Sequence, residues 1–169
     1  MKDMKCPSCQ QLRHTKNGKY HYTESGLPNV WLLGIEIFEC DCGEKFGIIP
    51  CIEELHKLIG KTLIRKEQQL SGSEIRFLRK HMMFKSKDFA KELGVKNVTV
   101  SRWENGDSHP SESNDRLIRL VYAIKMGLGR SGKVLVMDRF RKLKKGQGET
   151  KPYLFPANKF VKRACVVNA

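Results

Sequence analysis

At 169 residues with 40% hydrophobic content, the chain is long enough for one large or two small folded cores, and no apolar run approaches the ~20 residues of a spanning helix. The formal net charge of +14 is uneven: residues 1–60 hold seven basic and eight acidic side chains, residues 61–127 fourteen against eight, and residues 128–169 eleven against two. A near-neutral start followed by two strongly basic stretches points to a polyanion partner for the later part. Without a signal-peptide core at the N-terminus, a cytoplasmic protein with no membrane partner is expected.

Six cysteines with no secretion signal read as metal ligands before they read as disulfides. Cys6-Pro7-Ser8-Cys9 is a C-x2-C knuckle, and Cys40-Asp41-Cys42-Gly43 supplies a second pair about thirty residues on. Four thiolates are the set that Zn²⁺ takes in closed tetrahedral structural sites, and a glycine such as Gly43 lets the backbone turn an N–H toward sulfur. Cys40-x-Cys42 is one residue shorter than the usual knuckle, so Cys51 and His56 stand as substitutes for the fourth ligand. A thioredoxin-like redox pair at Cys6 and Cys9 would need a βαβ setting, and a catalytic zinc would keep an open position with only three protein ligands. Both are weaker readings than a structural site. Between the pairs, Tyr20, Tyr22 and the run Val30-Trp31-Leu32-Leu33-Gly34-Ile35-Glu36-Ile37-Phe38 predict a small sheet around the metal.

Residues 53–69 predict a short amphipathic helix, with Leu55, Leu58 and Ile59 on one face. Ser71-Gly72-Ser73-Glu74 is a capping box that starts the next helix, whose buried stripe is Ile75, Leu78 and Met82. Ser86 is expected to cap a following helix ending at Gly94, with Phe89, Ala90 and Leu93 inward and Ala90 small enough for a close crossing. The stretch from Gly94 to Gly106 then reads as the recognition helix of a helix-turn-helix and the turn that ends it. Val95, Val100 and Trp103 fall inward, while Asn97, Thr99 and Arg102 lie outward, where they can bond to base edges or phosphates. After Pro110 a helix over 112–126 is expected to present Leu117, Leu120, Val121 and Ile124 to the same core.

Beyond Met126 the glycines at 127, 129, 132, 146 and 148 break the pattern, and Arg139-Phe140-Arg141-Lys142-Leu143-Lys144-Lys145 is strongly basic. A solvated arm able to track phosphates is the reading there. Val134-Leu135-Val136-Met137 could form a short strand, Tyr153-Leu154-Phe155 is a second apolar patch, and Cys165 reads as a lone thiol.

Three segments carry a family resemblance: Glu74-Ile75-Arg76-Phe77-Leu78-Arg79, Ala90-Lys91-Glu92-Leu93-Gly94-Val95 and Ser101-Arg102-Trp103-Glu104-Asn105-Gly106. Residues 70–123 resemble the Xre (Cro/cI-type) helix-turn-helix as it occurs in MqsA-like antitoxins. The segment from Trp31 through the second cysteine pair to Ile49-Pro50-Cys51-Ile52-Glu53-Glu54-Leu55 resembles the YgiT-type zinc finger of that family. The resemblance implies a structural metal, a module facing a partner toxin, and a regulator that represses its own operon.

The expected architecture is a small α+β zinc-binding module at 1–60, an all-α, lambda-repressor-like helix-turn-helix domain at 61–127 and a basic extension at 128–169. The expected metal ligands are Cys6, Cys9, Cys40 and Cys42. The DNA-contact set is Ser86, Lys87, Lys96, Asn97, Val98, Thr99, Arg102 and Asn105, with Asn97, Val98 and Arg102 as base readers. The expected function is that of a homodimeric, sequence-specific regulator on a palindromic double-stranded operator, with a stand-alone repressor lacking a toxin as the alternative. No Ser/His/Asp set, phosphate-cradling loop or RNP-type aromatic strand supports an enzyme or an RNA-binding factor.

Overall fold

The computed structural model describes residues 5–6, 8–11, 13–129 and 151–162. The expected strand at 134–137, the basic run at 139–145 and Cys165, expected as a lone thiol, therefore lie outside the described residues. The chain divides into two compact units, one from Met1–Leu55 with Lys151–Ala169 and the other from His56–Thr150.

The first unit is a sheet. Strands β1 (Arg13–His21) and β2 (Val30–Glu39) pair antiparallel around a single 3-10 turn at Thr23–Ser25, which Gly26 closes at φ +74°. β3 (Lys45–Ile48) pairs antiparallel with β2, so β2 is central. Its buried positions include Val30, Leu32, Ile35, Ile37 and Phe38, which pack with Tyr20, Tyr22 and Leu27 as a half-buried sheet face requires. Gly47 lets β3 lie close to that face, since a Cβ there would stand 2.6 Å from Ile35 Cδ1.

A fourth strand, β4 (Tyr153–Pro156), runs parallel to β2 in the register Val30↔Tyr153 to Leu33↔Pro156. The Asn29 amide donates to the Lys151 carbonyl at 2.9 Å and Tyr153 N–H to the Asn29 carbonyl at 2.8 Å. Phe155 and Phe160 are buried, and Lys162 pairs with Glu54 at 2.7 Å. Part of the extension that the sequence presents as a basic arm thus supplies core residues to the sheet. Parallel pairing needs a long connection, and hydrophobic periodicity over four residues carries no information about so distant a partner.

The second unit is helical. Helix α1 (Ile52–Leu63) spans the division between the units and ends six residues before the expected point. It is followed by α2 (Gly72–His81), α3 (Ser86–Glu92), α4 (Asn97–Asn105) and α5 (Glu112–Lys125). The expected capping box forms at Ser71 and Glu74, and Ile75, Leu78 and Met82 are buried. The start of α2 lies against the end of α4, because a Cβ on Gly72 would come within 2.4 Å of the Trp103 carbonyl oxygen.

Two local expectations change. Ser86 is the first residue of α3 rather than its cap, the N-cap being Lys85 without a side-chain bond. The Ser86 hydroxyl is instead engaged by Asn97 Oδ1 at 2.8 Å. In α5 the buried set is Asp115, Ile118, Arg119, Tyr122 and Ala123, whereas Ile124 is exposed and Leu117, Leu120 and Val121 are only partly covered. The polar stripe turns inward because all of its groups are satisfied. Arg119 Nε donates to Asp115 Oδ1 at 2.5 Å, its terminal nitrogens to the carbonyls of Ile64, Lys66 and Gln68, and Asp115 Oδ2 accepts from Leu70 N–H at 2.7 Å. Burial of a charge pair is tolerated under that condition.

Candidate functional site

In the sheet unit, the knuckle at Cys6 and Cys9 meets the turn between β2 and β3. The four Sγ atoms of Cys6, Cys9, Cys40 and Cys42 lie within 4.8 Å of one another, with Cys9–Cys40 at 2.9 Å and Cys6–Cys42 at 3.8 Å. A tetrahedron with metal–sulfur bonds of about 2.3 Å has sulfur–sulfur edges of about 3.8 Å, so the observed separations bracket what a four-thiolate metal site requires. The four cysteines fit a metal ion of that kind.

Backbone amides are directed at three of the sulfurs, while the Gln11 carbonyl accepts from the Cys40 thiol at 2.7 Å. The N–H of Cys9, seconded by that of Ser8, is directed at the Cys6 sulfur and holds its thiol down at about 7. The Cys42 N–H is likewise directed at the Cys40 sulfur, and the Glu44 N–H at that of Cys42. These last two thiols nevertheless lie above the ordinary value, because protons shared with the neighbouring cysteines and burial outweigh the amides. A cation at the centre would remove that mutual penalty. Gly43 makes the turn at φ +88°, and its own N–H goes to the Cys40 carbonyl at 2.9 Å, so the sulfur-directed amides are those of its neighbours.

The alternative fourth ligands are otherwise engaged. Cys51 is disulfide-bonded, with its sulfur also accepting from Lys162 N–H at 3.4 Å. His56 packs its ring against Phe77 at 5.5 Å and His81 at 5.8 Å in the helical unit, where burial lowers its pKa.

In the helical unit, α3 and α4 are joined through Gly94, whose φ of +66° few other residues adopt without strain. Val100 and Trp103 anchor the inner side of α4, and Ala90 is buried in α3 as a close crossing needs. Outward lie Asn97, Val98 (55% exposed), Arg102 and Asn105, with Lys96 exposed at the N-cap and Thr99 half-buried. Ser86 is half-buried and Lys87 exposed at the start of α3. The structure thus gathers the expected contact set on two helix starts and one helix face.

Sequence reasoning missed Ser101, which is exposed on that face, and the exposed Lys85 beside Ser86. It also missed what holds the face in place. Glu104 is buried and takes a two-point bond from Arg79, Nε at 2.6 Å and Nη2 at 2.8 Å, while Arg79 Nη1 donates to the Phe84 carbonyl at 2.9 Å. Arg76 adds Nη2 to Asn105 Oδ1 at 2.7 Å. The hydrogen bond to Glu104 raises the Arg79 pKa still further. The available signal was the spacing of Arg76 and Arg79 on α2, one turn apart beneath a lone carboxylate. With Glu104 neutralised and no acid in its first turn, α4 presents a cationic, hydrogen-bonding surface.

Residues 75–114 match the helix-turn-helix family. A 43-residue stretch is 42% identical to the HTH-type transcriptional regulator DicA of Escherichia coli (strain K12), covering 25% of this chain and 32% of that protein. The chain therefore spans about a third of the length of that curated relative. No solved structure matches the chain.

Proposed function

We propose that this protein is a sequence-specific, double-stranded DNA-binding regulator of transcription and not an enzyme, acting in the cytoplasm as a homodimer on a palindromic operator. The observation that carries the reading is the outer face of α4: Asn97, Val98, Ser101 and Arg102 stand exposed on a helix whose inner side is locked by Trp103 and whose end is bolted to α2 through Glu104. Such a face enters a major groove, where Arg reads guanine, Asn pairs with adenine and Val98 touches a thymine methyl. Lys85, Lys87 and Lys96 at the two helix starts suit phosphate oxygens.

The N-terminal cysteines are assigned a structural Zn²⁺ held by Cys6, Cys9, Cys40 and Cys42. When bound, the ion supplies folding energy and no chemistry. The finer reading, an antitoxin that represses its own operon, is supported by the resemblance of both segments to MqsA-like antitoxins and by the near-neutral charge of residues 1–60, which suits a protein partner better than DNA. A stand-alone repressor is the alternative.

Titration against DNA upstream of the protein's own gene, with random DNA as reference, tests the first claim. Asn97→Ala and Arg102→Ala should each weaken the specific complex by about 1–3 kcal/mol and the random one little. Equal losses on both DNAs would move these residues to phosphate contact. Rescue of growth on co-expression with the adjacent gene separates antitoxin from stand-alone repressor.

A further inference from the structure

The sheet unit carries a second feature that neither the cysteines nor the helix-turn-helix uses. A cavity of about 270 Å³ opens on its surface, lined by Lys19, Tyr20, His21, Thr23, Trp31 and Lys45. Its lining holds two ammonium groups, and the neighbouring Glu24 carboxylate is taken up by the hydroxyls of Tyr20 and Thr23. Its floor is the half-buried indole of Trp31, against which the His21 ring is stacked at 4.3 Å and 13°. His21 is pinned there, its Nε2 bonded to the Pro28 carbonyl at 2.8 Å, so the two rings form one preset π surface. The Lys19 ammonium lies 4.3 Å from the Trp31 ring centroid.

We propose that this cavity binds a nucleobase carrying a phosphate, presented either by a free nucleotide or by a single strand of nucleic acid. A flat ring takes the place of Lys19 over the indole, and the long, flexible lysine swings to the phosphate with Lys45 as the second cation. Stacking on a rigid aromatic floor gives affinity for any base, because each has a π face, and the two ammonium groups add the demand for an anion. The volume lies just below the usual ligand-pocket range of about 300–1,000 Å³, which suits one base with its phosphate and not an extended dinucleotide. His21 keeps the indole from rotating away when Lys19 leaves. An uncharged aromatic ligand would leave both lysines unanswered, and a bare anion would leave the indole unused.

The chain contains two tryptophans, and Trp103 is buried at 4% exposure, so the Trp31→Leu variant gives the Trp103 background against which the cavity signal is read. The experiment is fluorescence titration of the full chain with adenosine monophosphate, with a short oligothymidylate and with inorganic phosphate. Quenching that saturates with the nucleotide or the oligonucleotide but not with phosphate is expected, and their relative affinities identify the source. Lys19→Ala and Lys45→Ala, both at exposed positions, should each weaken binding about five- to tenfold with an unchanged circular dichroism spectrum. Trp31→Leu should abolish the quenching and, by calorimetry, the heat of nucleotide binding. Equal response to inorganic phosphate, affinity unchanged in both lysine variants, or no quenching at millimolar nucleotide would overturn the proposal.

Discussion

The sheet unit draws its strands from residues 13–48 and, more than a hundred residues later, from 153–156, whereas the described helical unit is one unbroken run from 56 to 129. The sheet unit gathers four free thiols beside its turn; the helical unit buries apolar residues from every helix and ties its buried Arg119–Asp115 pair to its own backbone. One assembly takes a strand from far along the sequence and brings together four thiols that could hold a metal, whereas the other is built from one continuous stretch. A small domain that cannot bury enough apolar surface commonly adds a metal or a staple in this way.

Metal removal should therefore separate the two units most sharply. Chelation, or Cys9→Ser, should melt the sheet unit while the helical circular dichroism signal persists, and elemental analysis of the wild type should find about one zinc per chain. An equally stable metal-free protein would break the contrast. The next largest effects come from core truncation on each side. Phe155→Ala removes the buried anchor of β4 and should cost the sheet unit about 3–5 kcal/mol, measured by denaturant titration. Arg119→Met should cost the helical unit a similar 3–5 kcal/mol, because Asp115 is then buried as an unpaired charge and the carbonyls of Ile64, Lys66 and Gln68 lose their donor. If Arg119→Met were neutral, the buried pair would not be what holds α5 in its observed orientation.

These two substitutions also mark where the sequence was silent. The capping box at Ser71 and Glu74, the glycines that end α3 and α4, and the two-plus-two cysteine spacing are local patterns, and each could be read within a few residues. The facing of α5 could not, since Leu117, Leu120, Val121 and Ile124 make as regular a stripe as Asp115, Ile118, Arg119 and Tyr122. Choosing between them requires the positions of the carbonyls that Arg119 reaches, which belong to a connection about fifty residues away. β4 was hidden for the same reason, because four residues gain their meaning only from Val30–Leu33 beside them. At the outer face of α4 the exposed polar residues were legible, but the carboxylate of Glu104 beneath them looked like another surface group until its two-point bond to Arg79 was seen.

A smaller effect tests whether the helical core tolerates charge. His56 packs against Phe77 and His81, and burial lowers its pKa from 6.5. The unfolded chain then binds the proton more readily than the folded one, so stability is full above the unfolded pKa and falls as the pH drops through the window beneath it. The Tm of the helical transition should decrease between pH 7.5 and 5, and His56→Phe should flatten that slope. An unaltered slope in the variant would assign the effect to other groups.

The smallest predicted change has the opposite sign. Met83 sits between α2 and α3 with φ +61° and 88% of its surface exposed, so it holds a left-handed backbone while its side chain packs on almost nothing. A non-glycine residue in that region costs roughly 1–2 kcal/mol, and glycine loses about 0.4–1 kcal/mol more chain entropy on folding. Met83→Gly should consequently stabilise the helical unit by up to about 1 kcal/mol, the strain relieved exceeding the entropy lost. Gly106, at φ +84° with open space where a methyl group would stand, provides the reverse experiment: Gly106→Ala should destabilise through backbone strain alone, since no atom lies within 4 Å to clash. Equilibrium unfolding of the two variants checks the pair, and a destabilised Met83→Gly would mean that the exposed methionine makes a contact in solution that outweighs its backbone strain.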